Sequence, residues 1–244
     1  MPALDHPAAI LAVTGKARPE SADLPWAAEE TAWLVRSFRG ARARSISGSE
    51  DSPAWTPELD RCDVLHLAAH VTVDDAHPWR SGLAGMRAQD IAKRKLSARL
   101  AVLAGCESAG GRVVSGEGVI GLTSALEVAG LPTVVATLWP VSDRVTWTLT
   151  RSFYSALAGG CTAGDALRLA QNMVRADPRT SHPFYWAGFV LIGEAETRIP
   201  LQQAGPDPAL LASIAAFVAA LAVAGSIGHR NRRRRCDSSA GGDS

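Results

Sequence analysis

Cysteine is scarce in this sequence, and no two cysteines lie close together. The four cysteines of the 244 residues are at positions 62, 106, 161 and 236. Zinc ribbons and thioredoxin-like redox sites need cysteine pairs two residues apart, so neither kind of site is expected. The first residues also have no basic segment followed by a long apolar run. No signal peptide is therefore predicted, and we expect reduced thiols in a cytoplasmic body.

The sequence also lacks a large excess of charge of either sign. Lysine and arginine total 25 and aspartate and glutamate total 24, which gives a net charge of +1. Five arginines and two aspartates give residues 229–244 a charge of +3, so residues 1–228, with 20 basic and 22 acidic side chains, carry −2. A body without positive excess argues against nucleic acid as the main partner. Hydrophobic residues make up 47%, which excludes disorder of the whole chain.

Short apolar runs alternate with helical patterns from residue 8 to about residue 194. Strands are predicted at 8–14, 44–47, 63–70, 99–105, 131–139 and 186–192, and helices at 25–38, 119–129, 143–157 and 162–176. Because no hairpin dipeptide separates the strands, the pattern predicts an α/β fold with a parallel sheet covered by helices on both faces. Thr162 is the expected N-cap of the last helix. The buried face of that helix is predicted to contain Ala166, Leu167, Ala170, Met173 and Val174.

Two of the predicted strands end on reactive side chains. His70 ends one strand, and Cys106 follows the next. Reactive groups of parallel sheets gather at the carboxyl ends of strands, and neighbouring strands lie ~4.8 Å apart, so these side chains are expected to meet as a thiol–imidazole pair. Glycines at 105, 110 and 111 allow a tight loop whose backbone N–H groups would bind an oxyanion. The alternative is that Cys106 fills an apolar core and His70 is a hydrogen-bonded core residue.

Seven segments of the sequence resemble the CHAT family of caspase-like cysteine peptidases, and they occur in the family's order. These segments are DVLHLAAH at 63–70, LAGCESAG at 103–110, GEGVIGL at 116–122, AGLPTVVATLWPVSD at 129–143, FY at 153–154, ALRLAQ at 166–171 and PFYWAGFVLIG at 183–193. The resemblance implies a caspase/haemoglobinase-like sandwich. It also implies that His70 is the general base and Cys106 the nucleophile. The backbone N–H groups of Val71 and Cys106 would then form the oxyanion hole.

Two positions depart from the family's pattern. Val71 stands where the family usually has glycine, and its β-branched side chain penalises the positive-φ conformations that glycine accepts. Ala104 and Gly105 precede the nucleophile where Ser-Ala is more usual. The resemblance predicts a cysteine endopeptidase that cleaves a protein partner. The alternative is a catalytically degenerate CHAT-fold scaffold or interaction module.

Two acidic residues near the predicted strand ends suggest a substrate pocket. Asp143 would favour a basic residue at the scissile position of a substrate, and Glu107, beside the nucleophile, would repel acidic substrates. The alternative for Asp143 is that it, or Ser142, caps the helix that follows.

No metal or cofactor is expected. Cys62, His66 and His70 recur at every fourth residue, but along a strand they would share one face over ~26 Å, which is too far for a single ion. His66 is instead predicted to be a buried, hydrogen-bonded strand histidine. The segment 116–121 fits the pattern G-x-G-x-x-G but does not follow a strand directly, which favours a flexible loop leading into a helix over a dinucleotide site.

The segment 209–228 contains no charged residue and is long enough to cross a bilayer. The predicted organisation is a CHAT domain at 1–198, a linker at 199–208, a transmembrane helix at 209–228 and a basic then polar tail at 229–244. Small residues at 212, 216, 220, 224 and 228 would let two such helices pack as a homodimer. The alternative is a soluble alanine-rich helix packed on the body or on a partner.

The arginine-rich tail leaves two membrane arrangements open. The positive-inside rule puts the tail in the cytoplasm, and a spanning helix would then place the catalytic domain outside. A helix lying in the membrane interface, with the arginines of 230–235 on anionic lipid, would keep the domain cytoplasmic, which is the favoured side.

The resemblance also implies partners. CHAT domains often follow tetratricopeptide repeats that act as sensors. Few residues precede the first predicted strand here, so a separate sensor or activator chain is expected. A role in signalling or defence is implied on the same ground.

Overall fold

The computed structural model describes residues 6–15, 25–46, 56–69, 71–72, 74, 76–83, 86–104 and 116–205. The chain divides after Gln203 into two units, and the elements below all belong to the first. The strands are β1 (Ile10–Gly15), β2 (Arg42–Ile46), β3 (Val64–Ala69), β4 (Val71–Thr72), β5 (Gly82–Leu83), β6 (Met86–Arg87), β7 (Leu100–Leu103), β8 (Thr133–Thr137) and β9 (Phe189–Gly193). The helices are α1 (Pro25–Ser37), α2 (Thr56–Leu59), α3 (Ala88–Ile91), α4 (Gly116–Val128), α5 (Asp143–Ala158), α6 (Ala163–Ala176) and α7 (Pro183–Trp186).

Six strands form one sheet in the order β2-β1-β3-β7-β8-β9. On one face of the sheet, buried side chains of α3 and α4 pack in a core that contains Leu65 and Leu67 of β3. On the other face, α1, α5 and α6 cover a core that contains Val64 of β3. Alternate residues of β3 thus face opposite helical layers, as the period of a strand requires. The predicted α/β architecture with helices on both faces is confirmed.

The prediction of a wholly parallel sheet is wrong at the last strand. β9 is antiparallel to β8, with Thr133 paired to Gly193 and Thr137 paired to Phe189. A single crossover helix returns the chain to the start of the sheet and gives a parallel strand. Here two long helices, α5 and α6, lie between β8 and β9, so the chain returns to the carboxyl edge and enters β9 from there.

Three two-residue strands that the sequence did not predict form a second, antiparallel sheet in the order β4-β5-β6. Val71 pairs with Leu83, and Gly82 pairs with Arg87. Two residues are too few to show an alternation of apolar and polar side chains, so this sheet has no periodic signal.

Helix α6 begins as the sequence predicts. The side-chain oxygen of Thr162 accepts a hydrogen bond from the N–H of Asp165 at 3.2 Å, which confirms the predicted N-cap. The predicted face is confirmed for its alanines, leucine and valine, which are buried, but Met173 is 62% exposed. An unbranched, flexible side chain at the edge of a helical face can turn to solvent, and here it does.

Among the helices in the part of the chain that the structure describes, none is long and apolar enough to cross a membrane. The predicted helix at 209–228 and the basic tail lie outside the described residues.

Candidate active site

Strands β3 and β7 bring their carboxyl ends to the same edge of the sheet. They are parallel neighbours, with Leu67 paired to Leu103, the last residue of β7. The N–H of Ala104 donates to the carbonyl oxygen of Leu67 at 2.9 Å, so the two segments remain hydrogen-bonded one residue beyond β7. The expectation that these strands are adjacent and parallel is confirmed.

The predicted dyad residues follow these two strand ends in the sequence. His70 comes directly after Ala69, the last residue of β3, and Cys106 comes shortly after Ala104. His70, Cys106 and Glu107 lie outside the described residues. The dyad and the role of Glu107 therefore stay predictions, and the structure contributes the placement of the strands that lead to them.

Val71 lies in an extended strand. Its backbone is part of β4 and pairs with Leu83 in an antiparallel ladder. Extended backbone has negative φ and suits β-branched residues. The backbone at the position where the family usually has glycine is therefore extended, a conformation that does not require glycine.

Asp143 connects the amino ends of two helices. It is the first residue of α5, and its carboxylate oxygen Oδ2 accepts a hydrogen bond from the backbone N–H of Trp26, in the first turn of α1, at 2.9 Å. Ser142 occupies the N-cap position of α5, one of the two positions predicted for the cap, but makes no side-chain capping bond. Ser142 is exposed to solvent, where water can satisfy the first N–H groups of α5. The predicted role of Asp143 in a substrate pocket stays a prediction.

A cluster of three polar side chains lies in the core on the α1 and α5 face of the sheet. The imidazole of His66 stands between Glu30 of α1 and Tyr154 of α5, and all three residues are 0% exposed. The His66 atom Nδ1 is 3.2 Å from the hydroxyl of Tyr154, and Nε2 is 3.2 Å from Oε1 of Glu30. The prediction of a buried, hydrogen-bonded strand histidine is confirmed. We call these three residues the buried polar cluster.

The hydroxyl of Tyr154 stays protonated in this environment. Burial raises the pKa of Tyr154 well above its usual range, and the nearby charge of Glu30 raises it further. A protonated hydroxyl can donate to Nδ1 of His66. The sequence analysis found His66 but neither partner, because Glu30 and Tyr154 lie far from it in the chain and carry no motif of their own.

Cys62 does not share a face with His66, contrary to the sequence prediction. It precedes β3, its thiol donates to the carbonyl oxygen of Leu59 at 3.4 Å, and its side chain packs in the core on the α3 and α4 face. Cys62 lies two residues before β3, so the alternation of faces along the strand does not extend to it. Burial, followed by the charge of Asp63, raises the pKa of the Cys62 thiol to about 12. Within the described ranges, no group of three or more potential ligand side chains could hold a metal ion.

Aromatic contacts hold the segment that follows β8. The ring of Trp139 stacks on Phe184 of α7 at 6.4 Å, and its Nε1–H donates to the carbonyl oxygen of Phe184 at 2.9 Å. A Cβ atom at Gly188 would come within 2.7 Å of the Trp139 ring, so only glycine leaves room for this packing. These contacts join the chain after β8 to the chain that enters β9.

A cavity of about 340 Å³ lies between the first turns of α5 and the end of α6. Its lining combines Arg144, Met173 and the ion pair between Asp177 and Arg179. Hydrogen bonds from Arg179 lower the pKa of Asp177 to about 2, so this pair stays charged at all physiological pH values.

Comparison with known proteins identifies relatives over most of the chain. A sequence model described as "CHAT domain" matches residues 3–194. Tetratricopeptide repeat protein 28 of Mus musculus is 37% identical and that of Homo sapiens 35% identical, each over 122 residues. The match covers 50% of this chain but spans only 5% of the length of either relative. Among solved structures, the Saccharomyces cerevisiae separase–securin complex superposes with a TM-score of 0.49 at 16% identity, covering 75% of this chain and 12% of that chain.

Proposed function

This chain belongs to the CHAT domain family, and on that premise we propose that it is a cysteine endopeptidase that cleaves a protein partner. The observation that carries the proposal is the pairing of β3 with β7, since their carboxyl ends share one edge of the sheet. His70 and Cys106 follow these ends in the sequence. Side chains at the carboxyl ends of neighbouring parallel strands are within reach of one another.

The proposed reaction is an acyl transfer through a thioester. His70 accepts the thiol proton of Cys106, and the thiolate attacks the carbonyl carbon of the scissile peptide bond. The backbone N–H groups of Val71 and Cys106 hold the developing oxyanion. The imidazolium of His70 then protonates the leaving amine, and water hydrolyses the thioester to release the acyl product and the free thiol. These steps require no metal or organic cofactor.

Two carboxylates bear on the proposed specificity. Asp143 is half-buried at the start of α5, and one of its oxygens accepts the N–H of Trp26. The carboxylate is thus held in place, which suits a group that would attract a basic residue at the scissile position. Glu107, next to the proposed nucleophile, adds negative charge that would repel acidic substrates.

The test of this proposal compares new protein N-termini in host cells that express wild-type protein or the Cys106→Ala variant. Mass spectrometry should find termini that occur only with the wild type, and the residues that precede them report the cleavage preference. The Asp143→Asn variant should still cleave, but the residues that precede its cleavage sites should no longer be enriched in basic ones. If wild type and Cys106→Ala give the same termini in the presence of the activating partner, the chain is a non-catalytic scaffold.

The proposed anchor is the uncharged segment 209–228, followed by the arginine-rich tail 229–244 that would contact anionic lipid. The catalytic domain would then be cytoplasmic, and the small residues of the segment would favour a homodimer. Full-length protein should float with vesicles that contain phosphatidylserine, whereas a chain that ends at Gln203, the last residue of the first unit, should stay at the bottom of the gradient. If the full-length chain also stays at the bottom, the anchor is wrong.

The proposed activator is a separate sensor chain in a signalling or defence pathway. The matched relatives are named for tetratricopeptide repeats, and this chain aligns with only a small part of each. Affinity purification of the Cys106→Ala variant, which cannot cleave its partners, should retain both activator and substrate. Recovery of the same set with an unrelated bait would contradict the proposal.

A further inference from the structure

The buried polar cluster joins three elements of the fold through one histidine. Glu30 comes from α1, His66 from β3 and Tyr154 from α5. Both ring nitrogens of His66 have a partner atom at 3.2 Å. The ring of Tyr154 also meets the imidazole edge to face, with the centroids 5.6 Å apart. The imidazole therefore lies between a hydrogen-bond partner, Tyr154, and a nearby carboxylate, Glu30.

The need for stability does not account for this cluster. Within the described part of the chain, neither carboxylate oxygen of Glu30 has a hydrogen-bond donor, and Nε2 of His66 is close to Glu30 but is not aligned with it as a hydrogen bond. Burying such groups is unfavourable, and replacing a buried ionic pair by apolar residues of similar volume is often neutral or stabilising. Stability alone therefore does not require polar groups at these positions, and the fold offers another reason for them.

The position of the cluster along β3 supplies that reason. His66 pairs with Val102 of β7. The next pair, Leu67 with Leu103, is the last pair between these two strands. The cluster thus contacts β3 three residues before the strand ends at Ala69. A hydrogen bond has a preferred direction, so the contact between Tyr154 and His66 constrains the position of β3 against α5.

We propose that Glu30, His66 and Tyr154 are positioning residues that hold the carboxyl end of β3, and through it His70, in the orientation that the dyad requires. This inference rests on the proposed function for its consequence in catalysis. None of the three side chains acts on the substrate. A displacement of about 1 Å at a reacting group can reduce a rate about 100-fold, so a small movement of the strand end is sufficient to matter.

The test uses conservative variants of the cluster, each with a matched control elsewhere. Tyr154→Phe removes only the buried hydroxyl, and Tyr185→Phe removes a hydroxyl outside the cluster. Glu30→Gln changes the buried carboxylate, and Glu29→Gln changes its exposed neighbour, which is paired with Arg36. Glu30→Leu replaces Glu30→Gln if the latter does not fold.

The first measurement is the position of the His70 ring Cε1–H resonance at fixed pH in full-length protein labelled with ¹³C-histidine. The resonance is assigned by its absence in His70→Asn. It should move in both cluster variants and stay in place in both controls. It should also stay in place in Leu126→Ala, which opens a cavity in α4 on the opposite face of the sheet and tests for the effect of lost stability alone.

The second measurement is the rate at which a thiol reagent alkylates Cys106, which should fall about 10–100-fold in the cluster variants. If the His70 resonance moves but Cys106 of the wild type is no more reactive than Cys161, the positioning role holds and the endopeptidase proposal fails. If the His70 resonance is the same in wild type, Tyr154→Phe and the Glu30 variant, the positioning role is overturned, whatever the reactivity of Cys106.

Discussion

Replacing Asp143 by alanine is expected to destabilise a helix to which Asp143 does not belong. The carboxylate of Asp143 accepts the N–H of Trp26, which is at the second position of α1. The first N–H groups of a helix have no partner within the helix, and an acceptor from elsewhere in the chain satisfies one of them. A negative charge there also interacts favourably with the dipole of α1. The contact joins residues that are 117 positions apart.

The expected loss of stability follows from the kind of contact. Loss of a capping acceptor costs about 1 kcal/mol, and loss of the charge at a helix amino end adds about 0.3–1 kcal/mol. Because Asp143 is only half-buried, we expect a total of about 1–1.5 kcal/mol. In a domain of about 200 residues each kcal/mol lowers the Tm by about 2–4 °C, so the shift should be about 2–6 °C.

The assay is thermal unfolding of the full chain followed by circular dichroism, with Ser142→Ala as the matched control. Ser142 makes no side-chain capping bond, so its replacement should leave the Tm within about 1 °C of the wild type. Asp143→Asn keeps an acceptor oxygen and should lose less stability than Asp143→Ala. If Ser142→Ala lowers the Tm as much as Asp143→Ala does, the reasoning about the link between α1 and α5 is refuted.

Two further predictions rest on single residues. The pKa of about 12 leaves ~1 in 10⁴ of the Cys62 thiols ionised at pH 8, so iodoacetamide should modify the partly exposed Cys161 and spare Cys62 in the native protein. Equal labelling of the two cysteines in peptide mass spectra would contradict this burial. Gly193 has a φ of 91°, and a Cβ there would collide with the carbonyl oxygen of Pro132, so Gly193→Ala should lower the free energy of unfolding by about 2–4 kcal/mol. Gly160 also has a positive φ, 88°, but no atom lies within 4 Å of an added Cβ, so Gly160→Ala should lower the free energy of unfolding by only about 1 kcal/mol. Urea unfolding measures both values, and equal losses of stability for the two variants would refute the steric argument.

The strands of the main sheet were predictable because burial on both faces leaves a continuous apolar run. The run at 63–70 contains β3, whose six residues are all buried, and the run at 99–105 contains β7. The direction of β9 was not predicted. Two long helices and the short helix α7 lie between β8 and β9, and the chain enters β9 from the carboxyl edge of the sheet. The absence of hairpin turns between predicted strands was therefore not enough to establish that every strand is parallel.

The contacts that hold the candidate site were not predictable in the same way. The burial of His66 followed from its place in an apolar strand. Its partners Glu30 and Tyr154 are in helices, and the sequence pattern does not show which residues of those helices contact the strand. In the sequence, a glutamate that is buried in an amphipathic helix cannot be distinguished from one on the exposed face. The role of Asp143 was missed for a related reason, since helix capping by a residue from another element leaves no pattern in either segment.

The resemblance to the CHAT family, given by the order of seven segments, is confirmed by the match over residues 3–194. The sequence analysis expected β3 and β7 to be parallel neighbours, and their observed pairing confirms this. The backbone of Val71 is extended because it belongs to the small sheet of β4, β5 and β6. The presence of valine where the family usually has glycine did not by itself indicate this conformation.

The most direct test of the central claim is the rate at which iodoacetamide alkylates Cys106 at pH 6, compared with Cys161 in the same molecule. A cysteine paired with histidine has a lowered pKa and a larger thiolate fraction at this pH, so Cys106 should react at least ~10-fold faster than Cys161. His70→Ala should remove that difference while leaving the rate of Cys161 unchanged. Equal rates for Cys106 and Cys161 in the wild-type protein, or an unchanged advantage of Cys106 in His70→Ala, would contradict the claim that these two residues form a catalytic dyad.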